Sequence, residues 1–193
     1  MKAMNETIAY LGVGSNLGAE RNILTAAQEL DRHVRVLAAS TFYWTQPLGG
    51  RAQARFLNGA LAIATALEPD VLKQSVLQPI EAALGRVRTA DPNASRTIDL
   101  DLLVYGERHV SGGPLELPDP KIEKYCFVAV PLLDLAPGLI LPGSNVPLAQ
   151  IVARQATVEM EPAGEFTRRL RTMVMRMQVR RSEESADEQG PSC

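Results

Sequence analysis

The order of apolar runs along the chain limits its possible folds more than any other feature of the sequence. Their spacing predicts strand, helix, two strands, helix and strand, in the segments Ile8 to Val13, Arg21 to Leu30, Val34 to Tyr43, Phe56 to Thr65, Pro69 to about Leu84, and Ile98 to Tyr105. Pro79 lies inside the second helix, so we expect a kink or a break there. This β-α-β-β-α-β order is typical of the α+β ferredoxin-like fold, in which an antiparallel sheet carries two helices on one face.

The C-terminal part of the chain differs in character from this core. An apolar segment from Phe127 to Asp134 predicts either a short helix or an irregular apolar segment, and a later stretch has one helical apolar stripe surrounded by arginines. The stripe consists of Phe166, Leu170, Met173, Val174 and Met177. We expect a main domain over residues 1–160, a basic amphipathic helical extension over 161–181, and a disordered polar tail over 182–193.

Composition argues against several classes of protein. Of 193 residues, 46% are hydrophobic, and 20 Lys and Arg against 22 Asp and Glu give a formal net charge of -2. This charge gives no general attraction to nucleic acid or anionic lipid, and no segment approaches the roughly 20 apolar residues of a membrane-spanning helix. Two cysteines do not support a disulfide framework. We therefore expect a cytoplasmic protein that binds neither nucleic acid nor membranes.

Two aspartates in the last predicted strand form the sharpest chemical signal. In Arg96-Thr97-Ile98-Asp99-Leu100-Asp101-Leu102, the side chains of Asp99 and Asp101 share one face of the strand, about 6 to 7 Å apart, while the alternate apolar residues point into the core. A carboxylate pair, together with substrate phosphates, is a common way of holding Mg²⁺. The alternative is an exposed sheet face with two solvated acids.

Three arginines near these aspartates favour a phosphate ligand. Arg86, Arg88 and Arg96 lie on and after a polar, turn-rich segment. Guanidinium groups bind phosphate oxygens in a bidentate manner, and several of them facing a dicarboxylate strand match what phosphoryl transfer requires. Each arginine alone could form a surface ion pair, but together they favour a phosphoryl-transfer site.

A second pair of residues suits a flat heterocyclic ligand. Phe56 and Asn58 share one face of a predicted strand, next to a loop that carries Thr45 and Leu48. An aromatic ring beside an amide that both donates and accepts hydrogen bonds can bind such a ring. Packing in the core is the alternative for Phe56.

Other familiar motifs are not supported. The glycines after the first strand lack the spacing of the dinucleotide-binding motif, and the chain has no Gly-Lys-Ser/Thr segment of a P-loop. His33 and His109 are isolated and lack the spacing of zinc ligands.

Taken together, these residues identify a resemblance that runs from about Ile8 to about Ile151. The chain resembles the 6-hydroxymethyl-7,8-dihydropterin pyrophosphokinases, folate-pathway enzymes that transfer pyrophosphate from ATP to the pterin hydroxymethyl group and release AMP. The landmarks are Gly14-Ser15-Asn16-Leu17, Tyr43 with Thr45, Pro47-Leu48-Gly49, Phe56-Leu57-Asn58, Glu81 with Gly85-Arg86-Val87-Arg88, Arg96 to Asp101, and Phe127 with Pro131-Leu132. The resemblance implies the ferredoxin-like fold, ATP as co-substrate and two Mg²⁺ ions. It also implies small-molecule substrates and, as further partners, neighbouring enzymes of folate biosynthesis.

The resemblance also assigns roles to residues of this chain. It implies that Asp99 and Asp101 coordinate the Mg²⁺ ions and that, with Arg86 and Arg96, they form the catalytic set. The implied pterin site is Thr45, Leu48, Phe56, Asn58 and Phe127. The implied nucleotide site is Gln78, Glu81, Arg88, Leu102, Asp119 and Lys121.

The chain departs from the family pattern at a few positions near the nucleotide and the mobile loop. Asn93 stands where the family usually has an aromatic residue, Asp119-Pro120 where it often has His-Pro or His-Tyr, and Tyr125 where a basic residue is common. An acid in place of histidine removes a potential phosphate donor and adds charge of the wrong sign, so we expect an active enzyme with weaker ATP binding. Lys121 can substitute in part for the lost donor.

Three other functions are compatible with parts of this pattern. A nucleotide-binding module that lost catalysis would bind ATP without forming AMP. A ferredoxin-like RNA-binding domain would need exposed aromatic residues and a basic surface, which the 5% aromatic content and the net charge of -2 do not favour. A metal-dependent nucleotidyltransferase would use the same aspartate pair but not the pterin-pocket residues.

Overall fold

The protein forms one antiparallel sheet with helices on both faces. A computed structural model describes residues 6–49, 52–89, 91, 93–156 and 158–187. The strands are β1 (Thr7–Ser15), β2 (Arg35–Ala39), β3 (Tyr43–Thr45), β4 (Phe56–Thr65), β5 (Asp99–Tyr105) and β6 (Met160–Pro162). The helices are α1 (Ala19–Asp31), α2 (Pro69–Leu72), a π-helical turn (Lys73–Leu77), α3 (Gln78–Ala83), α4 (Lys121–Lys124), α5 (Cys126–Leu135), α6 (Leu148–Arg154) and α7 (Gly164–Asp187).

Strand pairing confirms the predicted ferredoxin-like fold. The sheet runs in the order β5-β1-β4-β3-β6, and β2 pairs with the same edge of β4 as β3 does, further along that strand. Every pairing is antiparallel. The central strand β1 pairs along its whole length with its neighbour β4, from Thr7↔Thr65 to Ser15↔Leu57.

Alternation along β1 separates the two faces of the sheet. Leu11 and Val13 are buried in the larger core, which α1 covers with Ile23 and Leu30 and the π-helical turn with Val76 and Leu77. Tyr10, which precedes Leu11, packs against a smaller apolar cluster that α4, α5 and α6 form on the opposite face. The glycines of β1 leave that second face open beside the cluster, and the candidate site lies there.

The helix predicted from Pro69 to about Leu84 is not broken at Pro79. It contains a π-helical turn just before this proline. Proline has no N–H to donate to the carbonyl four residues earlier. The turn before it is π-helical, and Gln78 N–H donates to the carbonyl oxygen of Lys73, five residues back. The helix therefore continues past Pro79 to Ala83.

The run from Val34 to Tyr43, predicted as one strand, is divided into β2 and β3. Between the two strands, backbone N–H groups donate hydrogen bonds to side chains that are distant in sequence. Thr41 N–H donates to Asp134 Oδ2 at 2.6 Å, and Phe42 N–H donates to Thr167 Oγ1 at 3.0 Å. These bonds replace strand pairing at the break.

The C-terminal helix α7 packs against the main domain. Phe166, Leu170 and Val174 are buried in the same core as the apolar residues of α1. Polar side chains of α7 also bind backbone carbonyls of β2: Arg171 Nε donates to Ala39 O at 2.9 Å. The helix therefore shares the core of the domain and covers the outer side of β2.

Two predicted boundaries differ from this arrangement. The division between residues 160 and 161 falls inside β6, so the main domain and the extension are one packed unit. The predicted tail is wrong for residues 182–187, because α7 continues to Asp187. Residues 188–193 lie outside the described residues. Within the described part of the chain, no helix is long and apolar enough to cross a membrane.

Candidate active site

A pocket on the second face of the sheet gathers most of the residues that the sequence singled out. It lies over β1, β4 and β5 and is bounded by α4 and α5. Its lining includes the predicted residues Thr45, Leu48, Phe56, Asn58, Arg96, Asp99, Asp101, Lys121 and Phe127. These side chains come from widely separated segments, and the antiparallel pairing of β4 with β3 and of β1 with β5 brings them together.

Two arginines hold Asp99 at the start of β5. Arg86 Nη2 lies 3.1 Å from Asp99 Oδ1, and Arg96 Nη1 lies 2.5 Å from Asp99 Oδ2. All three side chains are largely shielded from solvent. Burial lowers the pKa of the Arg86 guanidinium, an effect that the Asp99 charge opposes. The two oxygens of Asp99 are therefore each bound by a different guanidinium group.

Asp101 pairs with a cation from α4. Lys121 Nζ lies 2.6 Å from Asp101 Oδ2. Burial and the nearby charge of Asp99 both raise the pKa of Asp101. Burial alone would lower the pKa of Lys121, but Asp101 and the other carboxylates nearby outweigh it and raise that pKa. The pocket is therefore lined by two carboxylates, each paired with a cation of its lining, Asp99 with Arg96 and Asp101 with Lys121, while Arg86 binds Asp99 from outside the lining.

The segment that carries Arg96 is attached to the end of β1. The N–H groups of Asn16 and Leu17 donate to Arg96 O at 3.1 and 3.2 Å, and Arg96 N–H donates to Asn16 Oδ1 at 2.7 Å. Ser15 Oγ donates to Thr97 O at 2.6 Å. The Gly14-Ser15-Asn16-Leu17 landmark thus positions the arginine segment.

The side of the pocket lined by Phe56, Asn58 and Phe127, which the resemblance assigns to the pterin, combines two aromatic surfaces with an amide. Asn58 Nδ2 donates to Thr45 Oγ1 at 2.8 Å, across the pairing of β3 and β4. A Cβ atom on Gly14 would lie 2.7 Å from Asn58 Oδ1, so only glycine leaves the amide room. Arg96 lies over the Phe56 ring, 5.7 Å from its centre.

Phe127 contributes the other aromatic surface from α5. Its ring stacks on Tyr125 with centres 5.1 Å apart and planes 18° apart. Tyr125 and Asn93, both departures from the family pattern, line the pocket. Gln46 and Val128 also line it, and sequence reasoning did not assign them a role.

A second hollow adjoins the pocket and shares Asp101 with it. Lys73, Leu102 and Asp119 contribute to its walls. Asp119 Oδ1 accepts a hydrogen bond from Lys121 N–H at 2.7 Å, and burial raises the pKa of this carboxyl group. Leu102, Asp119 and Lys121 of the predicted nucleotide set are therefore close together.

The other members of the predicted nucleotide set lie behind β5. Glu81 is buried, and its Oε1 accepts a hydrogen bond from Leu100 N–H at 2.9 Å, while Arg88 Nη2 lies 2.6 Å from its Oε2. Burial raises the pKa of Glu81. Gln78 is exposed at the start of α3. Gln78, Glu81 and Arg88 line neither of the two hollows described here.

Comparison with known proteins shows which family this chain belongs to. The model of the 7,8-dihydro-6-hydroxymethylpterin-pyrophosphokinase (HPPK) family matches residues 10–137, which include every residue of the pocket. The chain belongs to this family. As an HPPK it transfers pyrophosphate from ATP to 6-hydroxymethyl-7,8-dihydropterin, a reaction of folate biosynthesis.

Individual relatives agree with the HPPK assignment. The chain is 41% identical over 161 residues to a 2-amino-4-hydroxy-6-hydroxymethyldihydropteridine pyrophosphokinase of Methylorubrum extorquens, covering 82% of this chain and 96% of the relative. It is 40% identical over 143 residues to a protein of the same name from Pseudomonas aeruginosa, covering 72% of this chain and 86% of the relative.

A solved structure shares the fold of this HPPK. It is titled "Crystal Structure Analysis of the HPPK-DHPS in complex with substrates" and matches with a TM-score of 0.62 at 11% identity. The match covers 77% of this chain and 43% of the other. At this identity the likeness shows the fold alone.

Proposed function

We propose that this HPPK is Mg²⁺-dependent and that Asp99 and Asp101 hold the metal. The observation that carries the proposal is the position of both carboxylates on one strand face, in the pocket that Arg96 and Lys121 also line. The donor set fits Mg²⁺, which commonly takes one or two carboxylates and completes its shell with water and substrate phosphates. The described residues contain no cluster of three or more His, Cys, Asp or Glu that could hold a metal. The phosphates of ATP would supply further ligands for the two expected ions.

Bound Mg²⁺ would neutralise charge on the ATP phosphates and align them with the pterin hydroxyl group. The chain's own cations would act on the same phosphates. Arg86 and Arg96 share Asp99, and Arg86 Nε is buried with no hydrogen-bond partner among the described residues. We assign both arginines to the transferring group, where their charge stabilises the developing negative charge. Lys121, between the two hollows, would bind phosphate oxygens once Asp101 holds the metal.

The pterin ring would lie between the aromatic surfaces of Phe56 and Phe127, with Leu48 at its side. Asn58 would bind the ring edge through its amide, since that amide can both donate and accept. Thr45 fixes the orientation of the amide by accepting from its Nδ2. Ring binding is therefore separate from phosphate binding, and variants should affect the two substrates differently.

The nucleotide would occupy the second hollow, which Leu102 and Asp119 line. Glu81 and Arg88 would support the nucleotide site indirectly. Glu81 accepts a hydrogen bond from the backbone N–H of Leu100, which lies between the two aspartates, and Arg88 neutralises the charge of Glu81. Gln78 is assigned to the nucleotide only by the family resemblance.

The test is AMP release from ATP, measured with and without 6-hydroxymethyl-7,8-dihydropterin. Pterin-dependent AMP should form with Mg²⁺, stop with a chelator, and fall by about 10²-fold or more in Asp101→Ala. The matched control is Glu107→Ala, which removes an exposed carboxylate from the turn after β5. Full activity of Asp101→Ala would refute the metal assignment. ATP binding without AMP formation by the unaltered chain would favour a binding module that has lost catalysis.

We also propose a cytoplasmic location and contact with neighbouring folate-pathway enzymes. The solved HPPK-DHPS structure supports such contact, since that protein combines HPPK with DHPS. Co-purification of this HPPK from its own cells with another enzyme of the pathway is the test, and recovery of the HPPK alone would count against the contact.

A further inference from the structure

The strand that carries Thr45 is held from both sides. β3 has only three residues, and a strand this short is weakly fixed when it pairs on one side alone. Here it pairs with β4 on one side and with β6 on the other, where Tyr43↔Pro162, Trp44↔Glu161 and Thr45↔Met160 are opposite each other. β6 lies beyond residue 137, where the family match ends.

Side chains of β6 add contacts to both walls of the pterin pocket. Glu161 Oε2 lies 2.5 Å from Arg55 Nη1, and the Arg55 guanidinium lies over the Trp44 ring, 5.6 Å from its centre. Arg55 directly precedes Phe56, so this ion pair lies at the point where β4 enters the pocket. On the other wall, Met160 Sδ lies 3.8 Å from Cys126 Sγ, next to Phe127.

The chain that follows β6 anchors it to the core. Ala163 N–H donates to Phe42 O at 2.8 Å, and Thr167 Oγ1 accepts from Phe42 N–H at 3.0 Å. Phe42 is fully buried and meets Phe166 edge to face, with ring centres 5.3 Å apart. β6 is therefore a fixed support and not a loosely attached strand.

We propose that β6 is a positioning segment for the pterin substrate. Glu161 acts through Arg55, and the β6 backbone through β3, to hold Thr45 and Phe56 where they bind the pterin and orient Asn58. The inference rests on the proposed pterin-binding roles of Thr45, Phe56 and Asn58. It extends the pterin-binding machinery to a segment outside the part of the chain that the family model matches.

A double-mutant cycle tests the proposal in the full-length enzyme. Glu161→Gln and Arg55→Gln should each raise the KM for the pterin about two- to five-fold, the range expected for loss of an exposed ion pair. The double variant should raise it no further than the larger single effect, because both changes remove the same interaction. The KM for MgATP, kcat and the melting temperature should stay close to those of the unaltered enzyme. Glu159→Gln, an exposed carboxylate two residues earlier, is the matched control and should change nothing.

Asn58→Ala separates the two proposals and should raise the KM for the pterin about tenfold. If Asn58→Ala has this effect and both Glu161→Gln and Arg55→Gln leave the pterin KM unchanged, the inference about β6 is overturned and the pterin site stands. If Asn58→Ala has no effect, the proposed pterin site itself is wrong. Equal increases in both KM values and a lower melting temperature in Glu161→Gln would show a merely structural role and would also overturn the inference.

Discussion

Asp101 and Lys121 form an ion pair that joins β5 to α4 inside the active-site pocket. The ammonium group binds one of the two carboxylate oxygens to which the proposed Mg²⁺ would bind. If Asp101 holds the metal as proposed, the metal would compete with Lys121 for this carboxylate, and the charge of Lys121 would become available to a phosphate.

Removing this competitor should strengthen binding of a divalent cation. Lys121→Met should bind Mn²⁺, measured by electron paramagnetic resonance without nucleotide, about two- to five-fold more tightly than the unaltered chain. The same variant should bind ATP more weakly, because it loses the cation that we propose binds a phosphate. Lys124→Met removes the same charge from an exposed position on the same helix and should change neither affinity. Equal or weaker Mn²⁺ binding by Lys121→Met would contradict the competition.

Asp119 gives the stability of the molecule a predictable dependence on pH. Burial raises the pKa of this carboxyl group above its ordinary value of 3.8. Between the ordinary and the raised value, the folded chain binds more protons than the unfolded chain, so stability falls as pH rises through this interval. Asn at this position keeps the acceptor for Lys121 N–H and does not titrate.

Asp119→Asn should therefore gain stability over the unaltered chain as pH rises from about 3.5 to 7. The measurement is the urea midpoint of both proteins at a series of pH values. Glu107→Gln is the control for loss of one exposed carboxylate. A difference between Asp119→Asn and the unaltered chain that stays constant across the series would refute the expectation.

At the scale of elements, the strands that have a clear apolar pattern within their own residues were predicted well. β4 has the bounds of its apolar run, Phe56 to Thr65. The division of β2 from β3 could not be foreseen, because Asp134 and Thr167 supply the hydrogen bonds that replace strand pairing there. β6 was missed because three residues that include a proline carry no strand signal of their own.

The buried stripe of α7 should contribute as much to stability as a core helix. Phe166→Ala should lower the free energy of unfolding by about 3 to 5 kcal/mol, because the ring is 2% exposed and packs on Phe42. Met175→Ala, on the same helix but 63% exposed, should change it by less than about 0.5 kcal/mol. Urea unfolding of both variants is the measurement. Similar small effects of the two substitutions would show that α7 does not share the core.

At the scale of the whole molecule, the chain should unfold as one unit. Phe166, Leu170 and Val174 of α7 share a core with Leu11 of β1 and Ile23 of α1. Calorimetry should therefore show one transition with equal calorimetric and van 't Hoff enthalpies. A separate transition of lower enthalpy, lost when residues 161–193 are removed, would instead support an independent extension.

The candidate site was largely predictable because its chemistry is concentrated in short segments. The period-two spacing of Asp99 and Asp101, and of Phe56 and Asn58, places each pair on one strand face without knowledge of the fold. The pairing of Lys121 with Asp101 depends on how α4 returns over β5, which no local pattern records.

Arg86 and Arg96 each bind one oxygen of Asp99, as described above. Folding has already removed much of the water from these three groups. A ligand that binds them therefore replaces existing ion-pair partners of side chains that are already shielded from solvent. The affinity for the ligand then depends on the difference in free energy between the network of ion pairs without the ligand and the network with the ligand bound. It does not depend on desolvating exposed charged side chains. Added salt, which screens exposed charges most, should therefore weaken the first encounter with ATP more than it weakens the bound complex.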